Sequence, residues 1–246
     1  MTALAWEGCI NVRDLGGLPT NGGELTRFGR IVRADNVRNL SAAGWDSLVA
    51  HGVRRIVDLR FESELAVDPE AELPVEVVHV SVLGEWDTEM AARQRAAVEQ
   101  ATEPEPYLAE LYLGFLLEGR ERFGAAAAAV ADAPDDGAVV LHCRNGKDRT
   151  GLLAALILRL CDVSIEVAAD DYSRSGPNLE PHLRPWIEQA RTPESRRLRE
   201  FVLPTPARAM ADVLEELDSA HGGAEGFLRS AGLDDPTLAR LRGRLV

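Results

Sequence analysis

GAVVLHCRNGKDRTGLLAALILRLC, Gly137 to Cys161, joins a short apolar run to a longer one through a loop that holds one cysteine and several cations. The first run follows the turn PDDG and reads as a buried strand. The second, from Thr150, is apolar around most of a helical circumference and reads as a buried helix. The loop therefore links the C-terminal end of a strand to the first turn of a central helix. There the unpaired N–H groups and the positive end of the helix dipole favour an anion. Arg144, Lys147 and Arg149 all lie within six residues of Cys143, with Gly146 among them. Such charges repel one another unless something negative sits between them.

The pattern extends outward from this unit. RIVRAD (30–35), RRIVDLR (54–60) and the β-branched VEVVHVSV (75–82) read as further strands. Ser41 caps a helix predicted to run to about Ala50, with Gly52 where helices end. Strands that alternate with helices indicate an α/β fold. The C-terminal third reads as helices: SIEVAADDYSRS, PHLRPWIEQA, ARAMADVLEELDSAHG, AEGFLRSAG and a last one begun by Asp235 and Pro236. TEPEP (102–106) and GPNLEP (176–181) read as loops. No repeat or low-complexity linker divides the chain, so residues 1–246 are expected to form one domain.

The chain has 246 residues, of which 46% are hydrophobic, enough for one sizeable core. A formal net charge of −13 disfavours nucleic acid and stable association with an anionic membrane, because the mean field repels both. Any anion site must then be local. The N-terminus lacks the pattern of a signal peptide, and no stretch approaches the roughly 18 apolar residues of a membrane span. Cys9, Cys143 and Cys161 are too few and too uneven for a disulfide framework, which fits a reducing, cytoplasmic setting. No cluster of ligand types suggests a metal, and no cofactor is expected.

Three readings compete for Cys143. A buried structural cysteine fits poorly among three cations. A rhodanese-like sulfurtransferase shares the opening CRNG, but its loop is shorter than the span from Cys143 to Arg149. A cysteine-dependent phosphatase needs Cys-x5-Arg followed by Thr. That loop can curl around a tetrahedral dianion, with Arg149 adding a bidentate fork. The same donors favour a thiolate nucleophile.

HCRNGKDRTG, together with NVRDLGGLPT (11–20), VDLRFESE (57–64), DDYSRS and the closing HGGAEGFLRSAGL, resembles the bacterial branch of protein tyrosine phosphatases of the mycobacterial dual- or triple-specificity type. The resemblance implies a parallel-rich sheet flanked by helices. It also implies hydrolysis of phosphomonoesters through a phosphocysteine, on phosphorylated proteins or phosphoinositides. Residue by residue, it implies Cys143 as nucleophile, Arg149 as holder of the equatorial oxygens and Thr150 as a hydroxyl directed at Cys143. Asp148, with Lys147 beside it, is then the general acid, with Asp58 and Asp87 as rivals. His142 is expected to brace the loop backbone.

Arg144, Asn145, Gly146, Lys147, Asp148 and Arg149 are the expected phosphate cradle. Arg13 and Asp14 either line the pocket or form a salt bridge beside a tight Gly-Gly turn. Asp58 is expected to have a structural role, with Arg60 and Glu64 pairing nearby. Residues 85–103 carry a weak apolar stripe, Met90, Ala97, Val98 and Ala101, and read as a helical lid. Arg144 and Asn145 depart from the aromatic or small residue and alanine common in relatives. Arg144 adds a charge suited to a polyphosphorylated substrate. A phosphate-binding pseudophosphatase is the remaining alternative, and the oligomeric state is open.

Overall fold

A computed structural model describes residues 2–68 and 72–246. In chain order the strands are β1 (Thr2–Ala3), β2 (Arg13–Asp14), β3 (Ile31–Ala34), β4 (Val53–Asp58), β5 (Glu76–His79) and β6 (Ala138–His142). They form one sheet in the order β1-β2-β3-β6-β4-β5. The four strands β3, β6, β4 and β5 run parallel, and β1 and β2 add an antiparallel edge. Register decides where chemistry can happen. Ala34 and Asp58 both lie opposite His142, and His79 lies opposite Asp58. The parallel strands thus end in one row, and the segments that follow β3, β4 and β6 meet at the carboxyl edge, where parallel sheets place ligands.

The helices are α1 (Ala42–Ala50), α2 (Glu62–Leu65), α3 (Thr88–Gln100), α4 (Pro104–Glu118), α5 (Arg120–Ala131) and α6 (Asp148–Leu160). They continue with α7 (Ile165–Ser173), α8 (Ser175–Glu188), α9 (Pro193–Val202), α10 (Ala207–Ala220), α11 (Gly223–Ser230) and α12 (Asp235–Leu245). Every residue of β6 is buried. Val139 and Leu141 join the larger core with α4, α5, α6 and α10, while Ala138 and Val140 join a second core with Trp6, Val32 and Leu48 under α1. This is why the strand reads as an unbroken apolar run: both of its faces are covered. Helix α6 lies inside the larger core, with Leu152 to Leu158 all buried, and packs against α5, α7 and α11. Each buried leucine or isoleucine there contributes roughly 1.5–3 kcal/mol by leaving water. The loop before it therefore rests on an anchored strand and an anchored helix.

Local signals hold in detail at α1, where Ser41 accepts the Gly44 N–H and Gly52 takes φ +85°. Some expectations need correction. VEVVHVSV is strand only over Glu76–His79, because β5 is a half-exposed edge. TEPEP is mostly helix, since Pro104 and Pro106 sit in the first turn of α4, where a missing N–H costs nothing. GPNLEP likewise lies inside α8, which begins at Ser175. Pro177 takes its first turn, and Pro181 and Pro185 follow at spacings of four, so the lost hydrogen bonds fall along one face. Helices α4 and α5 are elements beyond those the pattern predicts.

Candidate active site

The loop leaves β6 at Cys143, which is 2% exposed, and enters α6 at Asp148. Gly146 makes the turn possible. Its φ is +62°, and an added Cβ would stand 2.3 Å from the Ala34 carbonyl oxygen. The loop's carbonyls are held outward by neighbours. Asn36 N donates to Arg144 O (3.1 Å), Asn11 Nδ2 to Asn145 O (2.9 Å) and Arg33 to Gly146 O (2.7 Å). A trans peptide directs its N–H opposite its C=O. The N–H groups of Asn145, Gly146 and Lys147 are therefore turned to the inner side of the loop, as an oxyanion cradle requires.

Those outer supports are themselves fixed. Arg33 is wholly buried and ion-paired with Asp171, whose other oxygen accepts Arg13 Nε at 2.8 Å. Burial disfavours the charged Asp171, but Arg33 and Arg13 outweigh it and hold its carboxyl below the usual range. Asp35 accepts the N–H of Asn11 (2.9 Å) and so sets the reach of Asn11 toward the loop.

Arg149 is 8% exposed. Its guanidinium lies over the Phe61 ring, 4.6 Å from the centroid, and forks onto Glu64, with Nη1 on one oxygen and Nη2 on the other at 3.1 Å. Glu64 also accepts the Phe61 N–H at 2.9 Å, which locks it into the start of α2. Burial opposes its ionisation, but Arg149, this N–H and Arg144 prevail and lower its carboxyl. Burial likewise opposes the charge on Arg149, but Cys143, Glu64 and Asp148 raise its guanidinium above its ordinary value. Two of five N–H groups serve Glu64, leaving three for an anion.

Asp148 lines a cavity of about 330 Å³ with Asn145, Lys147, Arg149, Phe61 and Trp186. A neighbouring cavity of about 710 Å³ holds Arg144, Arg60 and Glu64 but reaches neither Asp148 nor Arg149. Both cavities touch the loop, and the smaller one is the space that brings Asp148 and Arg149 together. Asp148 Oδ1 accepts from the Tyr112 hydroxyl and lies 3.2 Å from Lys147 Nζ. The same ammonium donates to the carbonyls of Val202 and Leu203 at the end of α9.

The sequence model of the tyrosine phosphatase family matches residues 4–246. The chain belongs to the tyrosine phosphatase family. It is similar to a tyrosine-protein phosphatase of Nostoc commune, with 31% identity over 223 residues covering 87% of this chain and 73% of the relative. It is also similar to the triple specificity protein phosphatase PtpB of Mycobacterium tuberculosis, with 26% identity over 97% of each chain. Membership of this family brings the cysteine phosphatase mechanism in place of sulfur transfer.

Within the phosphatase site the expected residues separate. Cys143, Asn145, Gly146, Lys147, Asp148 and Arg149 come together in the loop, and His142 braces it by contacting Cys143 O at 3.3 Å. Arg144 departs from the cradle: it is exposed and opens onto the neighbouring cavity. Thr150 Oγ1 is buried and has no hydrogen-bond partner among the described residues, so it makes no bond to Cys143. Asp58 is 3% exposed and paired with Arg60 (2.8 Å) and His142 (3.4 Å). Burial disfavours its charge, yet His142 and Arg60 hold it well below the carboxylate range, which leaves it no proton to give.

Glu64 is not the partner of Arg60 but of Arg149, and Asp68 takes its place at 2.6 Å. Asp87 is the cap of α3, accepting Met90 N at 2.7 Å. Arg13 and Asp14 line neither of the two cavities at the loop. Arg13 holds Asp171, and Asp14 accepts the N–H of Gly16 (2.7 Å) and Gly29 (2.8 Å). The expected lid, residues 85–103, is mostly helical and gives this cavity Trp86 and Gln94, while α8 and α9 give it Leu183, Trp186, Leu198 and Val202.

Proposed function

We propose that this phosphatase acts first on protein phosphotyrosine. Cys143 attacks phosphorus, Arg149 and the inward N–H groups hold the equatorial oxygens, and Asp148 gives its proton to the leaving oxygen. The observation that carries the reading is the alignment of Arg149. A guanidinium forked onto Glu64 and stacked on Phe61 is already fixed in a plane beside Cys143. Aromatic walls at Phe61, Trp86 and Trp186 line the cavity above Asp148 and Arg149 and suit an aryl phosphate. The match over 4–246 supports treating the whole chain as one catalytic domain. Three free cysteines support a cytoplasmic setting.

Exposed Arg144, beside the cavity of about 710 Å³, favours a second reading in which a substrate carries another phosphate, as a phosphoinositide does. One experiment addresses both. Rapid quenching with labelled aryl phosphate should place label on Cys143, and Cys143→Ser should abolish turnover. No turnover, or label on Ser, His or Asp, overturns the mechanism; no turnover with phosphate still bound identifies a pseudophosphatase. Arg144→Ala should spare phosphotyrosine peptides and weaken soluble phosphoinositides, and equal loss on both removes the second reading.

A further inference from the structure

Two buried tyrosines outside the loop converge on its carboxylate. Tyr112 on α4 and Tyr172 on α7 are both fully buried, and their hydroxyls are 2.8 Å apart. We infer that Tyr112 is a positioning residue that turns Asp148 so that its transferable proton sits on Oδ2, facing the cavity. The inference rests on Asp148 as the acid.

Asp148 meets its neighbours unevenly. Oδ1 receives the Tyr112 hydroxyl and faces Lys147 Nζ at 3.2 Å. A protonated carboxyl has one accepting carbonyl oxygen and one donating hydroxyl. The oxygen that meets two donors must be the carbonyl, so the proton resides on Oδ2. Lys147 divides its ammonium among Asp148 Oδ1, Val202 O and Leu203 O, so the Tyr112 hydroxyl, with one hydrogen directed at Oδ1, is the donor dedicated to Asp148. With the Tyr112 hydrogen committed to Asp148, Tyr172 must be the donor in the bond between the two phenols. A relay of donors therefore runs Tyr172 to Tyr112 to Asp148. Burial raises both phenols above their ordinary range, so both remain protonated donors.

As Cys143 Sγ forms its bond to phosphorus, the P–O bond to the leaving group breaks and that oxygen takes the Oδ2 proton. The charge left on Asp148 is met at Oδ1 by Tyr112 and Lys147. In the second half, water attacks phosphorus, the S–P bond breaks, and Oδ2 recovers a proton from the water. Tyr112 thus stabilises the carboxylate formed in the first half and aims it for the second.

The test uses the full chain with phenyl phosphate, whose leaving group needs a proton, and 4-nitrophenyl phosphate, whose leaving group does not. Tyr112→Phe should lower kcat/KM for phenyl phosphate, which reports the step that expels the leaving group, about 10- to 100-fold, the range for one hydrogen bond to a charged group. It should lower kcat/KM for the nitrophenyl ester less than about threefold. Tyr172→Phe, which keeps the Tyr112 hydroxyl, should show the same selectivity at smaller size. Equal slowing of both esters by Tyr112→Phe means a packing role and overturns the inference. If Tyr112→Phe does not fold, absence of selectivity in Tyr172→Phe overturns it. Asp148→Asn separates the two levels: selective loss there without selective loss in the tyrosine variants leaves the acid in place and removes Tyr112, whereas no selective loss in Asp148→Asn removes the acid itself.

Discussion

Glu64 and Arg149 stand 85 positions apart, yet their side chains make a bidentate contact that fixes the guanidinium in the loop proposed to bind phosphate. Glu64 keeps this pairing because its carboxyl lies below the ordinary value of about 4.3, so the charge is complete above that pH and is lost only as pH falls through the lowered value. Glu64→Gln keeps the shape but weakens the fork, and should reduce kcat/KM for an aryl phosphate about tenfold with little change in thermal stability. Arg149→Lys should cost far more, because a point charge can neither fork nor stack on Phe61. An unchanged kcat/KM in Glu64→Gln would show that Arg149 needs no alignment. The grouping of Cys143, Asp148 and Arg149 is legible in the sequence because all three lie in one short loop of fixed spacing. Glu64 is misread as a partner of Arg60 because nearby residues are the natural first guess for a salt bridge. Tyr112, Tyr172, Asp171, Arg33 and Asn11 reach the site from separate elements, and contacts of that range leave no periodicity to read.

Helix α3 buries only Val98 among its residues, which supplies roughly 1.5–3 kcal/mol against water. Ala97, expected on the buried stripe, is exposed, and Met90 is half-buried. Much of what holds α3 comes from α9: Arg197 donates to Val98 O at 3.2 Å and to Ala101 O at 2.6 Å, at the carbonyl end of the helix dipole. Arg197→Ala should therefore raise amide hydrogen exchange across 88–100 about two- to fivefold, from the 0.3–1 kcal/mol such a contact provides, while α6 stays protected. Equal exchange in both proteins would mean that α3 is held by its own packing. The amphipathic stripe made this helix legible, and the strand-loop-helix unit was legible because both its apolar runs are buried. The position of the cover was not, since α8 begins in a proline-rich stretch that reads as a loop. What keeps the prolines helical is their spacing, which confines the missing bonds to one face.

Across the whole molecule the sheet and the helical layer are joined by a buried charge cluster. Asp171 on α7 meets Arg13 of β2 and Arg33 of β3, and all three are nearly inaccessible. Through Arg33 the same cluster reaches the Gly146 carbonyl, so it couples global stability to the shape of the phosphate loop. Asp171→Asn leaves two buried guanidinium charges without compensation, a change that costs about 3–5 kcal/mol in comparable settings. The urea midpoint at neutral pH should fall accordingly, and phosphate binding should weaken with it. The pH dependence follows from the lowered Asp171 carboxyl. A folded value below the unfolded one gives stability that is complete above about pH 4 and is lost as pH falls through the folded value. The wild-type midpoint should therefore drop between neutral and acid pH more steeply than that of Asp171→Asn. Some acid dependence must survive in the variant, because Asp58 and Glu64 are lowered in the same sense. Parallel curves for the two proteins would show that ionisation of Asp171 contributes no pH-dependent stability, and the coupling of the cluster to the loop would then be steric, not electrostatic.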